Sequence, residues 1–296
     1  MKKVLSFIVF GIAVLGAVMG ILYLLDDHTA TKSTETNDDA VFVNHEPNEG
    51  TVDKPDRIDF QPVIDAWLNQ ISGNKSIVIY DLDRDEIVGK YNSDESYETA
   101  SLYKLFVVYE GYKKVQSGEW KGDDQAGSTG YNILKCLDLS IRESYSPCAE
   151  TLLTMIGREN LEKIIRDDYG ITNTDIAHLI STPNDIMKMM KIYYEHSDIK
   201  DQNLIDQMKD SFLNQPPTTY NWRQGLPSGF TKAKVYDKVG WEFIPDGGYW
   251  RLYHDAAIVD FSDKNRHFIV VVMTNRVPFE RILEFGSALE KAFYGE

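Results

Sequence analysis

Basic charge is scarce in this chain. Its 296 residues carry 31 Lys and Arg against 46 Asp and Glu, a formal net charge of -15. Binding a phosphate backbone requires a basic face, so nucleic acid is excluded as a partner. Histidine is sparse too. The six, at positions 28, 45, 178, 196, 254 and 267, show no metal-ligand spacing. The polar loop 123–130 contains glycine but no phosphate-cradling motif. No metal or organic cofactor is implied, and no internal repeat is present. There are 2 cysteines, neither near the N-terminus, so lipid attachment at a cysteine is not supported. Hydrophobic residues at 43% and aromatics at 12% suffice for a folded core.

One long apolar run is present. Met1, Lys2 and Lys3 precede an uncharged stretch over 4–25, and Asp26 and Asp27 follow it. At 1.5 Å rise per residue this stretch crosses about 30 Å of hydrocarbon. The lysines place a short tail, 1–3, in the cytoplasm and the rest of the chain outside. The expectation is a single-pass anchor in the cell membrane, with the lipid bilayer contacted through 4–25. A cleaved signal peptide is the competing reading, since Ala17 and Gly20 offer small residues, but the run continues past them. Residues 26–57 are rich in Asp, Glu, Thr and Asn and read as a flexible acidic linker. In an exported chain, Cys136 and Cys148 are expected to form a disulfide; a reduced buried pair is the alternative.

The folded part is expected over 58–296. Residues 60–68 read as a helix. Strands follow at 76–80 and 86–91, joined by the polar turn Asp83-Arg84-Asp85. Helical patterns then run over 102–116, 132–143, 147–156, 161–167, 183–196 and 203–212. Strands are expected at 235–239, 254–261 and 267–274, and a closing helix at 278–293. This order predicts an α/β (α+β) fold. The two chain ends build an antiparallel sheet with flanking helices, and about 101–215 builds a mostly helical subdomain. The binding site is expected in the cleft between them.

At the start of the helical pattern over 102–116 lies Ser101-Leu102-Tyr103-Lys104. Residues i and i+3 share a helix face, so the amine can reach the hydroxyl. Unpaired N–H groups at the helix start suit a developing oxyanion. A hydroxyl nucleophile with an amine base is the core of a serine acyl-transfer site. Further on come Ser144-Tyr145-Ser146-Pro147-Cys148-Ala149-Glu150, Ser181-Thr182-Pro183, Gly225-Leu226-Pro227-Ser228-Gly229, Lys238-Val239-Gly240-Trp241 and His254-Asp255-Ala256-Ala257-Ile258-Val259. The aromatic stretches 220–222 and 241–250 rim a cleft or pack in a core.

In this order, the segments resemble the class A β-lactamase and penicillin-binding D,D-peptidase superfamily, over about 58 to the C-terminus. The resemblance implies Ser101 as the acylated nucleophile and Lys104 as its base. It makes Ser144 the proton relay to the leaving nitrogen. Lys238 becomes a second cation that attracts a substrate carboxylate, and the N–H groups of Ser101 and Trp241 an oxyanion hole. Ser146, Lys238, Val239, Gly240 and Trp241 would contact substrate. The implied substrate is a β-lactam or a D-Ala-D-Ala-like peptidoglycan peptide, and the chain is expected to act as a monomer.

Some positions depart from the family pattern. Tyr145 stands where the family has a structural Asp, Ser146 where it has an amide and Val239 where it has a hydroxyl. Each lost contact to a charged group is worth about 1.5–3 kcal/mol. The loop glutamate that activates water for deacylation in class A enzymes has no counterpart over 161–181, where Asp175 is the nearest loop acid. An acyl-enzyme is therefore expected to persist, and efficient antibiotic turnover is not expected. Glu150 reads as structural, and so does the His254-Asp255 pair. A non-catalytic module that binds wall peptide or a partner is the second function class that the altered motifs allow.

Overall fold

The apolar run Phe268-Ile269-Val270-Val271-Val272-Met273 forms the middle of a five-stranded sheet, and alternate residues feed two different cores. The computed structural model describes residues 54–215 and 223–296. The tail 1–3, the apolar run 4–25, the linker up to residue 53 and the aromatic stretch 220–222 lie outside the described residues. Among the described residues no helix is long and apolar enough to cross a membrane.

The chain opens with helix α1 (Gln61–Leu68) and the hairpin β1 (Asn74–Asp81) and β2 (Glu86–Tyr91). After the two-residue strand β3 (Tyr97–Glu98), a 3-10 turn (Ala100–Tyr103) leads into α2 (Lys104–Gln116). Helices α3 (Ile133–Arg142), α4 (Ser146–Ile156) and α5 (Arg158–Asp167) follow, then strand β4 (Ile180–Ser181) and helices α6 (Pro183–Glu195) and α7 (Gln202–Leu213). The chain closes with the short helix α8 (Leu226–Gly229), strands β5 (Lys234–Ile244), β6 (Tyr249–Phe261) and β7 (Arg266–Asn275), and helix α9 (Phe279–Tyr294). Sheet order is β2-β1-β7-β6-β5, every pairing antiparallel. The expected fold class is the observed one.

Local chemistry explains several boundaries. Asn132 accepts a hydrogen bond from Lys135 N at the start of α3, and Thr182 accepts one from Asp185 N at the start of α6, where Pro183 sits at the first position. Strand side chains alternate faces with period two. Ile269, Val271 and Met273 join Val78 and Ile258 against the helical block. Phe268, Val270 and Val272 join Ile77, Ile79 and Val259 against α1 and α9.

The differences are local. β5 and β6 run further than expected, out to Ile244 and back from Tyr249, as a hairpin arm beyond the core. Residue 102 does not start the α-helix, because the first turn is 3-10 and α2 begins at Lys104. β3 and β4 pair only with each other, Tyr97 opposite Ser181 and Glu98 opposite Ile180.

Candidate active site

The 3-10 turn sets the first part of the site. With three residues per turn, positions i and i+3 eclipse, so Ser101 and Lys104 share one side. Ala100, just before Ser101, holds φ 44°, a left-handed value that a non-glycine residue adopts only when its surroundings enforce it. They do so here. Thr99 N donates to Leu179 O (2.7 Å), and Leu102 N donates to Thr99 O (3.0 Å).

Lys104 is fully buried. Its Nζ donates to Ser144 O (2.5 Å), Ser146 Oγ (3.1 Å) and Ser144 Oγ (3.3 Å). Those three acceptors use all three donors of an ammonium group. No hydrogen bond joins Lys104 to Ser101 Oγ among the described residues, although the i, i+3 spacing led one to expect it. An amine that loses a proton gives up one of the three donations and gains the lone pair a base needs. Burial makes that loss easier, lowering the Lys104 pKa from 10.5 to about 8.

Ser144 is brought to Lys104 by the bend between α3 and α4. It also sits at positive φ, 53°, and Tyr145 N donates to Leu139 O (3.0 Å) across the bend. Cys136 of α3 and Cys148 of α4 are joined by a disulfide with Cα atoms 4.9 Å apart, so the covalent loop encloses Ser144 and Ser146. From the sheet side, Lys238 Nζ donates to Ser144 Oγ (2.9 Å) and to Val239 O (2.8 Å). Burial drives the Lys238 pKa well below its ordinary value, and the neighbouring Lys104 cation pushes it the same way. Ser144 Oγ thus lies between two amines.

Gly240 explains how β5 comes this close. A Cβ there would lie 2.7 Å from Thr99 O and 3.2 Å from Leu102 N, both backbone atoms of the nucleophile turn. Val239 does not face the site. Strand alternation sends its side chain into the apolar core with Val235 and Tyr253, and only its carbonyl takes part. The same alternation separates His254 from Asp255. His254 Nε2 donates to Glu98 O (2.8 Å), while Nδ1 accepts Thr274 N (3.0 Å). Burial lowers its pKa to about 4, so it stays neutral. Asp255 accepts Leu226 N (2.8 Å) on the opposite face. Both residues are structural.

Ser101, Ser146, Glu150, His178, Trp241 and Arg251 are among the residues lining one open cleft of about 380 Å³. Glu150 accepts Tyr103 Oη (2.5 Å) and pairs with Arg158 (2.9 Å). Arg251 pairs with Glu98 (2.8 Å) and Glu242 on the opposite wall. His178, Thr99 and Arg251 were not found from sequence. None belongs to a spaced motif, and each reaches the cleft through pairings between distant segments. Among the described residues no group of three or more His, Cys, Asp or Glu is arranged to hold a metal ion.

A nucleophile turn, two buried amines and a shared hydroxyl form an arrangement suited to acyl transfer. A family model described as "Beta-lactamase enzyme family" matches residues 59–291. No curated protein sequence matches the chain. Among solved structures, a beta-lactamase from Chitinophaga pinensis DSM 2588 is 14% identical, with TM-score 0.67, covering 78% of this chain and 97% of its own. A representative of class A beta-lactamase from Bacteroides cellulosilyticus DSM 14838 is 13% identical, with TM-score 0.67, covering 79% and 96%. PBP-A is 17% identical, with TM-score 0.67, covering 82% and 99%. At these identities the likeness is one of fold.

Proposed function

The chain belongs to the beta-lactamase enzyme family, and on that premise we propose that it is a membrane-anchored, extracytoplasmic serine hydrolase acylated at Ser101 by β-lactams or D-Ala-D-Ala-like amides. The observation that carries this reading is the chain of contacts Lys104–Ser144–Lys238 at the cleft that Ser101 lines. Neutral Lys104 takes the Ser101 proton as Oγ attacks the amide carbonyl. Ser144, hydrogen-bonded to both amines, passes a proton to the leaving nitrogen as the C–N bond breaks. The N–H groups of Ser101 and Trp241 meet the developing oxyanion. Lys238 holds Ser144 in place and adds positive potential for a substrate carboxylate. Membrane anchoring is supported by the apolar run 4–25 behind Lys2 and Lys3.

A second reading, a non-catalytic module that binds wall peptide, draws on one observation. Lys104 Nζ is turned onto Ser144 and Ser146 rather than Ser101. A fluorescent penicillin and a fluorophosphonate separate the two. Covalent labelling of the wild type that disappears in Ser101→Ala is the expected result. A folded wild type that takes neither label sinks the enzyme and leaves the binding module.

A further inference from the structure

We propose that His178, oriented by Asp175, is the general base that activates water to hydrolyse the acyl-Ser101 ester. The proposal rests on the acyl-enzyme reading above and names the group that serves its second half. The loop containing both residues is tightly built. Asp175 and Ile180 exchange backbone hydrogen bonds, Asp175 N to Ile180 O (2.8 Å) and Ile180 N to Asp175 O (2.9 Å), closing a short loop over 176–179. Leu179 holds a left-handed φ of 55°, and its carbonyl accepts both Thr99 N (2.7 Å) and Thr99 Oγ1 (3.1 Å). The residue after His178 is therefore bonded to the residue two before Ser101. Arg158 Nη1 donates to Ile176 O (3.1 Å), tying the loop to α5 as well.

Within this frame the side-chain chemistry has one orientation. Asp175 Oδ1 accepts His178 N (2.8 Å), and Asp175 Oδ2 takes Nδ1 (2.8 Å). A carboxylate only accepts, so Nδ1 carries the proton and Nε2 of the neutral ring holds a lone pair. Those two donations hold the Asp175 carboxyl below the usual carboxylate range, so it stays ionised beside the ring. Nε2 has no partner among the described residues, and His178 lines the same cleft as Ser101. The other acids of the cleft are engaged. Glu150 is held by Tyr103 and Arg158, and Glu98 and Glu242 by Arg251. A base with an orienting carboxylate, lining the same cleft as the nucleophile, is the arrangement that general-base hydrolysis needs.

In the step itself, Nε2 takes a proton from water as the water oxygen bonds to the ester carbonyl carbon. The tetrahedral intermediate collapses by breaking the C–Oγ bond. The proton on Nε2 returns to Ser101 Oγ. The products are a carboxylic acid, free Ser101 and a neutral His178. Tyr103 lines the same cleft.

The test uses the full-length chain in detergent, labelled with a fluorescent penicillin, with adduct loss followed by intact mass after free label is removed. In His178→Gln, labelling proceeds, and the adduct lives at least about tenfold longer than in wild type, the low end of what a positioned base contributes or below it. Added imidazole shortens the variant adduct's life. Asp175→Asn lengthens the adduct lifetime less than His178→Gln does. A lifetime in His178→Gln less than tenfold longer overturns the proposal, as does a wild-type adduct that never decays. Either result leaves acylation at Ser101 standing. An unlabelled wild type removes the parent reading together with this one.

Discussion

Raising the pH from 7 to 9 should speed acylation of Ser101 about tenfold and then stop helping. Burial lowers the Lys104 pKa from 10.5 to about 8, a differential cost of about 3 kcal/mol against the charged form. In the proposed acylation the base is the neutral amine. With a pKa of about 8, roughly one molecule in eleven holds it at pH 7 and about ten in eleven at pH 9. The rate therefore rises with pH through about 8 and reaches a plateau near 9. An amine left at 10.5 would behave differently. Its neutral fraction would rise about a hundredfold over the same interval and keep rising beyond it. The two cases differ in slope as well as in the position of the plateau.

The assay is rapid mixing with a fluorescent penicillin at limiting concentration from pH 6 to 10, with labelled protein quantified at early times. Glu150 provides an internal control on cause. Its negative charge opposes the effect of burial and holds the Lys104 pKa up. Glu150→Gln removes that charge and keeps an acceptor for Tyr103 Oη, so the protonated amine is less favoured and the plateau moves to lower pH. Lys104→Arg abolishes labelling, because a guanidinium does not give up its proton in this range. A flat profile, a hundredfold rise without a plateau, or an alkaline shift in Glu150→Gln would refute the burial account.

Two further predictions follow from the geometry. Gly240→Ala places a Cβ 2.7 Å from Thr99 O and 3.2 Å from Leu102 N, neither of which can swing aside; labelling should fall about a hundredfold, with a stability loss of about 1–3 kcal/mol read from urea unfolding. Reducing Cys136–Cys148, whose sequence separation is 12, should cost about 3 kcal/mol by loss of the loop constraint and slow acylation, since Ser144 and Ser146 lie inside that loop; unfolding and labelling curves that superimpose with and without reductant would contradict both parts.

What the sequence reveals, and what it hides, follows from how local each determinant is. The α3 and α6 boundaries were legible because Asn132 and Thr182 cap them with their own side chains. β7 was legible because a buried strand is apolar without interruption. The outer ends of β5 and β6 were not, because the arm carrying Glu242 and Arg251 rises beyond the core and lacks a burial pattern. β3 and β4 exist only because Tyr97 meets Ser181, a pairing no local window contains. Within the candidate site, motif order pointed to Ser101, Lys104, Ser144 and Lys238, whereas the side chain of Val239 lies in the apolar core. Period-two alternation, which was available from the sequence, puts Lys238 and Val239 on opposite faces and splits His254 from Asp255 in the same way.

His178 marks the limit of that kind of reading. Its spacing from Asp175 is three residues, unremarkable in a loop, and its place in the cleft that Ser101 lines depends on hydrogen bonds between Leu179 and Thr99 across 80 positions of chain. A search for the family's loop glutamate looks for a residue type at a place in the sequence. The chemistry asks only for a lone pair, an orienting acid and a fixed distance to the ester, and those can be met by a loop of another length. The absence of the glutamate therefore predicts a stalled acyl-enzyme only where no other base shares the cleft. Here, a histidine with one ring nitrogen anchored to a carboxylate does share it, so the lifetime of the adduct in His178→Gln, rather than the missing glutamate, decides whether the proposed acyl-enzyme is turned over.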